Sequence, residues 1–330
     1  MESYQYHAIK QHAVLGNLAP RGQIGLRGKD RGPYLQGLLT NDIQALTAGT
    51  GCYAAWLTPQ GRMLTDMHVL EAGDMILLDV PAAQAQPTLQ RLDQFLFSED
   101  VQLSDLGRAL SAVWIHGPAS AHILETIVSG ASGLPAWSDY RNQRFDFRGS
   151  SIVIAQISQL GVPGYCVYAE SGQADALTAA LASEGAVAAS PAALEAARIE
   201  AGYPLFGVDM TDDTIPLEAG IEDRGISFTK GCYVGQEVII RVLHRGHGRV
   251  ARRLVGLRIQ GNVPEAGSRI YVDTREIGFI TSAADSPTLG SIALGYIHRD
   301  FVTPETRVQV QTGAARSEAL VTPRPMPGAV

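Results

Sequence analysis

Along the chain Met63, Thr65, Met67 and Val69 alternate with Leu64, Asp66, His68 and Leu70, a period of two that predicts a strand. Glu71-Ala72-Gly73-Asp74 supplies a turn before the apolar run Met75 to Val80, so the two read as a hairpin. Leu89, Leu92, Phe95 and Leu96 then recur at helical spacing within Ala82 to Phe97. Pro87 has no N–H and crowds the preceding turn, which confines the predicted helix to the later part of that stretch. Further strands are expected at Val101 to Leu103, Leu110 to Ile115, Ser151 to Ile157 and Tyr165 to Ala169. The alanine-rich segments Ala174 to Ser183 and Ala192 to Ala201 read as helices.

Beyond Arg249 the rhythm changes. Leu254 to Ile259, Arg269 to Val272, Ile277 to Ser282, Ile292 to His298 and Val308 to Gln311 are short strand candidates separated by glycine or proline. That spacing suits a small barrel. The expected division is a mixed α+β unit over residues 1–250 and an all-β module over 251–330, with Thr322 to Val330 as a frayed tail.

Composition narrows the classes. With 35 glycines and 17 prolines among 330 residues, turns are too frequent for a purely helical bundle. No window approaches the ~18 uninterrupted apolar residues of a membrane span, and the N-terminal stretch lacks an apolar signal-peptide core. Three widely spaced cysteines, Cys52, Cys166 and Cys232, fit neither a disulfide framework nor a zinc knuckle, which points to a reducing, cytoplasmic setting. A formal charge of −7 argues against general nucleic-acid binding. Against that background, Arg241 to Arg253 holds five arginines, two histidines and no acid, a local anion attractor.

The most unusual stretch is Lys230-Gly231-Cys232-Tyr233-Val234-Gly235-Gln236-Glu237, which leads into an apolar run able to form a short helix. A thiol near free N–H groups at a helix start is a candidate reactive thiolate. The helix terminus contributes only about 0.3–1 kcal/mol, and a free thiol of pKa ~8.5 is about 3% thiolate at pH 7. Lys230 would therefore have to approach the sulfur. A buried structural cysteine in a glycine-rich turn is the competing reading. His244 and His247, three apart, suggest a metal pair with Cys232 as third ligand, but Gly246 and Gly248 interrupt the helix and no metal site is assigned.

The octet resembles the K-G-C-[FY]-x-G-Q-E signature of the YgfZ-type, folate-binding proteins of iron–sulfur cluster assembly and repair, relatives of the glycine-cleavage aminomethyltransferase, or T-protein. Other segments resemble the same family in order: Leu26-Arg27-Gly28-Lys29-Asp30 with Tyr34 to Asp42; Pro59-Gln60-Gly61-Arg62-Met63-Leu64-Thr65-Asp66; Arg198-Ile199-Glu200-Ala201-Gly202-Tyr203-Pro204-Leu205-Phe206-Gly207; Ile215-Pro216-Leu217-Glu218; and Gly278 to Ser282. The resemblance implies a T-protein-like α+β fold, with two interleaved α+β subdomains around a central channel and a C-terminal β-barrel.

It also implies function. The expected protein is a tetrahydrofolate-binding accessory factor for iron–sulfur client enzymes with Cys232 as functional thiol; the alternative is a tetrahydrofolate-dependent aminomethyl or one-carbon transferase. Asp66 matches the acidic hairpin residue that T-proteins use on the folate nitrogen, and Lys230 and Cys232 complete the catalytic candidates. Arg198 is a candidate to grip a folate carboxylate bidentately, with a structural pair to a neighbouring acid as the competing reading. Glu200, Tyr233, Gln236 and Arg241 are the other candidate folate contacts. Two departures from the transferases stand out: Cys232 occupies the place of the aspartate in "K-x-D-F-x-G", and Cys166 that of the glutamate holding the pterin.

Overall fold

The computed structural model describes residues 2–244, 249–313 and 315–328. Two antiparallel sheets face each other, each covered on its outer side by helices. The first has five strands in the order Thr50–Leu57, Met63–Glu71, Ile76–Pro81, Arg21–Arg27, Gln102–Asp105. The second has six, in the order Val187–Ala188, Val14–Leu15, Leu110–His116, Gly164–Glu170, Ser150–Gln156, Asn142–Phe147. The pairing of Val14–Leu15 with Val187–Ala188 is the parallel one. Because Val14–Leu15 belongs to the second sheet yet precedes the whole of the first, the chain starts in one subdomain, builds the other and returns. This is the expected interleaving.

Strand alternation sorts the side chains of the first sheet into two layers. Ile24, Leu26, Ala54, Trp56, Met67, Val69, Leu78 and Val80 pack outward against Tyr34 and Leu35 of helix Arg31–Gln36 and Leu92 of helix Ala82–Gln94. The opposite face is mixed. Its apolar part, Leu70 and Leu77, meets Trp114, Val153, Cys166 and Tyr168 of the second sheet. Its polar part is a row running straight across four strands by register: Tyr53 opposite His68, His68 opposite Asp79, Asp79 opposite Gln23. All four are at most 3% exposed, so a line of hydrogen-bonding groups lies between the sheets.

The remaining strands close a six-stranded barrel in the order Arg252–Ile259, Gly290–His298, Arg275–Ser286, Arg269–Val272, Arg307–Thr312, Ala315–Thr322. Leu257, Ile270, Ile280, Ile297, Val310 and Val321 fill it. Helix Pro191–Glu200 docks outside, where Ile199 meets Leu254, Leu294 and Tyr296. Among the described residues no helix is long and apolar enough to cross a membrane.

Three expectations need correction. The helix before the second sheet begins at Ala82, ahead of Pro87, not after it. The carbonyl that Pro87 deprives of a partner is that of Ala83, an exposed residue, so water can satisfy it. The barrel has a sixth strand, Ala315–Thr322, in a stretch whose alternation is diluted by polar residues. The tail is packed rather than frayed: Arg324 donates to the carbonyls of Ala219 and Gly202, the Met326 N–H donates to Glu200 O at 2.8 Å, and Met326 is 3% exposed. Burying a methionine contributes about 1.5–3 kcal/mol, comparable to the ~1–2 kcal/mol backbone cost of ordering one residue, and the three hydrogen bonds hold the rest. Arg245 and His247, part of the basic stretch and of the histidine pair, lie outside the described residues, as does the side chain of His244.

Candidate functional site

Asp66 projects from strand Met63–Glu71, opposite Ala55, into the space between the sheets. The Tyr53 hydroxyl donates to its Oδ2 at 2.8 Å, while Arg21 Nη1 stands 3.9 Å from Oδ1, an atom with no hydrogen-bond partner. Burial raises the Asp66 pKa above the usual carboxylate range, with Arg21, Tyr53 and Arg224 opposing. Burial and the Asp66 charge together push the Tyr53 phenol well up, so it stays protonated and donates. His68 is held neutral: burial, then Arg21 and Arg224, lower its pKa well below the ordinary value. Asp79 is fully engaged, accepting from Arg21 Nε at 2.7 Å and from the Tyr168 hydroxyl at 2.5 Å.

The chamber's other wall comes from segments distant in sequence. The Arg224 guanidinium lies 3.9 Å from the ring centroid of Tyr203 and 4.6 Å from that of Tyr53, two cation–π contacts. Its Nη2, the Tyr203 hydroxyl and His68 Nδ1 have no hydrogen-bond partner. Four buried polar atoms from a strand, a loop and a short helix thus lie in one region unsatisfied by protein. Since buried polar groups are nearly always paired, such a concentration marks a place built for a ligand or ordered water. Arg21, Tyr53, Tyr203 and Arg224 were not among the residues expected from sequence. Tyr203 lies within a motif that drew attention to its neighbours Arg198 and Glu200, whereas nothing local marks the other three.

Arg198 takes the second of its two readings, a pair with neighbouring acids, and not the folate grip. It is 0% exposed, and its guanidinium donates to Glu195 at 2.8 and 2.5 Å, to Asp209 at 2.6 Å and to the Tyr203 carbonyl at 2.6 Å. Two carboxylates and a carbonyl occupy the fork, so it holds Tyr203 in position rather than presenting free donors to a folate carboxylate. Glu200 is also fully buried and accepts from the hydroxyls of Tyr6 and Ser286, with Lys10 at 3.1 Å. Its carboxylate ties the N-terminal helix to the barrel.

The Lys-Gly-Cys-Tyr loop forms a second region. Lys230 Nζ donates to the carbonyls of Gln36 and Leu39 at 2.6 Å and of Asn41 at 2.9 Å. An ammonium has three protons, and all three are used. Lys230 is therefore a clamp on the loop 36–41 and not a partner for the Cys232 sulfur, contrary to expectation; burial lowers its pKa to about 8, against the pull of Asp42. Asn41 completes the stitch by donating to the carbonyls of Tyr53 and Arg224, which links this loop to the chamber. Tyr233 is buried with Tyr53, Leu57 and Met63, and its N–H donates to Gln236 Oε1 at 3.1 Å, so both residues serve to fix the loop. Gly235 has φ +85°, and a Cβ there would lie 2.5 Å from Thr58 O, which requires glycine.

Cys232 is exposed, four residues before helix Gln236–His244 rather than at its first turn. It borders a surface hollow of about 400 Å³ lined by Gln236, Glu237, Ile240 and Arg241. The other two thiols differ: burial raises Cys52 to about 12 and Cys166 well above its ordinary value. Among the described residues no cluster of histidine, cysteine and carboxylate side chains suited to a metal ion occurs.

Residues 3–230 match the GCVT N-terminal domain, and residues 252–326 match the glycine cleavage T-protein C-terminal barrel domain. The chain belongs to the glycine-cleavage T-protein family. An aminomethyltransferase of Rubrobacter xylanophilus is 29% identical over 99% of this chain and 84% of its own length. A chloroplastic protein of Arabidopsis thaliana named as a transferase is 30% identical over 92% of this chain and 69% of its own. The crystal structure of aminomethyltransferase T of the Bartonella henselae glycine cleavage system superposes with a TM-score of 0.87, at 22% identity, over 98% of this chain and 88% of that one. The T-protein fold, interleaved subdomains and terminal barrel included, is thus the fold of this chain.

Proposed function

We propose that the chain binds a tetrahydrofolate in the chamber beside Asp66 and acts on it as an aminomethyltransferase-type, one-carbon-handling protein. One observation carries this reading: the unpartnered Asp66 Oδ1, Arg224 Nη2, Tyr203 hydroxyl and His68 Nδ1 belong to residues gathered about the rings of Tyr53 and Tyr203. A pterin is flat and edged with both donors and acceptors, so that set of partners suits it. When bound, the folate supplies the nitrogens that carry a one-carbon unit. Asp66 supplies the acceptor for a folate N–H, Tyr53 fixes its orientation, and its raised pKa prepares it to take up and return a proton. Membership of a family whose relatives are named aminomethyltransferases supports the same reading.

A second reading rests on the other region. Cys232 is exposed at the rim of a hollow, in the place where the motif resemblance puts the aspartate of the transferases. Such a thiol is placed to reach iron or a partner's sulfur, as an accessory factor for iron–sulfur client enzymes in the cytoplasm requires. Arg241 and Gln236 line that hollow, away from the chamber's residues.

Calorimetric titration of tetrahydrofolate into wild type and Asp66→Asn tests the first reading. Saturable binding weakened about tenfold or more by the substitution is expected from loss of one charge-assisted hydrogen bond. No binding by wild type refutes it. For the second, Cys232→Ser should fold yet fail to restore iron–sulfur enzyme activity in cells lacking the native protein; full restoration removes the thiol from the account.

A further inference from the structure

The Arg224 guanidinium, half-buried on the short helix Glu222–Gly225, makes no ion pair among the described residues. Its Nη2 is buried and has no acceptor. Its contacts are the faces of Tyr203 and Tyr53, which orient the plane and leave the N–H edge open. Its main-chain carbonyl is pinned by Asn41 at 3.1 Å. Arg21 offers the contrast within the same chamber, where Asp79 accepts from both Nε and Nη2. A buried guanidinium N–H left without an acceptor is costly, so a site that keeps one beside two aromatic faces is organised for an incoming anion. Charges nearby agree. Asp66 is the carboxylate facing it but lies beyond contact and turns Oδ2 to Tyr53, and Arg324 adds a second positive charge.

We propose that Arg224 is a carboxylate subsite, and that the chamber takes, together with the pterin, a carboxylic acid held in bidentate fashion by this guanidinium between the two tyrosines. The proposal deepens the folate reading and rests on the same chamber being the functional site. The carboxylate has two possible sources, a separate small acid that exchanges the one-carbon unit or the glutamate tail of the folate itself. Arg198, the sequence's candidate for such a grip, is already filled by Glu195 and Asp209, whereas Arg224 has its fork free.

The test uses the full chain. Acetate and glycine are titrated at constant ionic strength against acetamide as uncharged control, with intrinsic fluorescence and melting as readouts. Tetrahydrofolate is compared with 6-methyltetrahydropterin, which lacks the carboxylates. Wild type, Arg224→Gln and the charge-retaining Arg224→Lys are measured in parallel. If the acid is separate, the wild type saturates with acetate or glycine but not acetamide, both variants lose this about tenfold or more, and both pterins bind as before. If the acid is the folate tail, the variants weaken tetrahydrofolate to that extent and leave 6-methyltetrahydropterin unchanged. Either result supports the subsite. Wild type that answers to neither small acid and binds the two pterins equally overturns it without recourse to a variant, as do variants that fold and bind every probe like wild type. Absence of pterin binding with the acetate response intact would remove the folate reading and leave the Arg224 subsite standing.

Discussion

Replacing Arg198 with methionine should unfold the protein more readily and change tetrahydrofolate affinity by less than about tenfold, because Arg198 reaches the chamber through the Tyr203 carbonyl and not through the ligand. The guanidinium is 0% exposed and joins Glu195, Asp209 and the Tyr203 carbonyl. Methionine fills similar volume but strands Asp209, whose side chain is 0% exposed. Asp209 keeps donors from Thr281 at 2.5 Å, Ser282 at 2.7 Å and the Leu205 N–H at 3.0 Å, so the loss belongs at the lower end of the ~3–5 kcal/mol typical of a broken buried pair. With an unfolding entropy of about 2.1 cal/mol/K per residue, ~3 kcal/mol lowers the melting temperature of a 330-residue chain by roughly 4 °C. Calorimetric melting and urea titration measure this. Adding Asp209→Asn should recover about 1 kcal/mol or more, because the stranded charge is then gone. Unchanged melting together with a tenfold loss of tetrahydrofolate affinity would refute the reasoning and make Arg198 a ligand contact.

Two further outcomes are expected. Brief iodoacetamide treatment at pH 7.5, read by peptide mass spectrometry, should label Cys232 faster than half-buried Cys52 and buried Cys166, whose thiols are both raised in pKa; Lys230→Ala should change the Cys232 rate by less than about twofold, since Lys230 is spent on three carbonyls. His116, which burial lowers from 6.5 to about 4, binds its proton in the unfolded chain first, so its contribution to stability is present above pH 6.5 and is lost as pH falls from 6.5 towards 4. Wild type should therefore lose stability relative to His116→Asn across that window in urea titrations, and parallel curves would refute the assignment.

Much of the fold was legible where local pattern and tertiary context agree. Helix Ala174–Ser183 and strand Arg269–Val272 appear where alanine content and alternation place them. Strand Arg21–Arg27 was not legible, because glycines interrupt its alternation. A Cβ on Gly22 would lie 2.7 Å from that of Ala85, so the glycine marks the close approach of a helix, information that only packing reveals. The site divides in the same way. Asp66 was found through its motif, but Tyr53, Tyr203 and Arg224 reach it from three separate segments, a meeting that no spacing encodes. Lys230 shows the converse: two residues from Cys232 along the chain, its side chain runs away to the loop 36–41.

The most direct measurement of the central claim is a crystal structure of the chain with a bound tetrahydrofolate. The account expects the pterin between the two sheets, with a ring N–H within hydrogen-bonding distance of Asp66 Oδ1 and an aromatic wall of Tyr53, Tyr140 or His68 beside it. Folate bound outside that chamber, with Asp66 Oδ1 and Arg224 Nη2 still unpartnered, would contradict it.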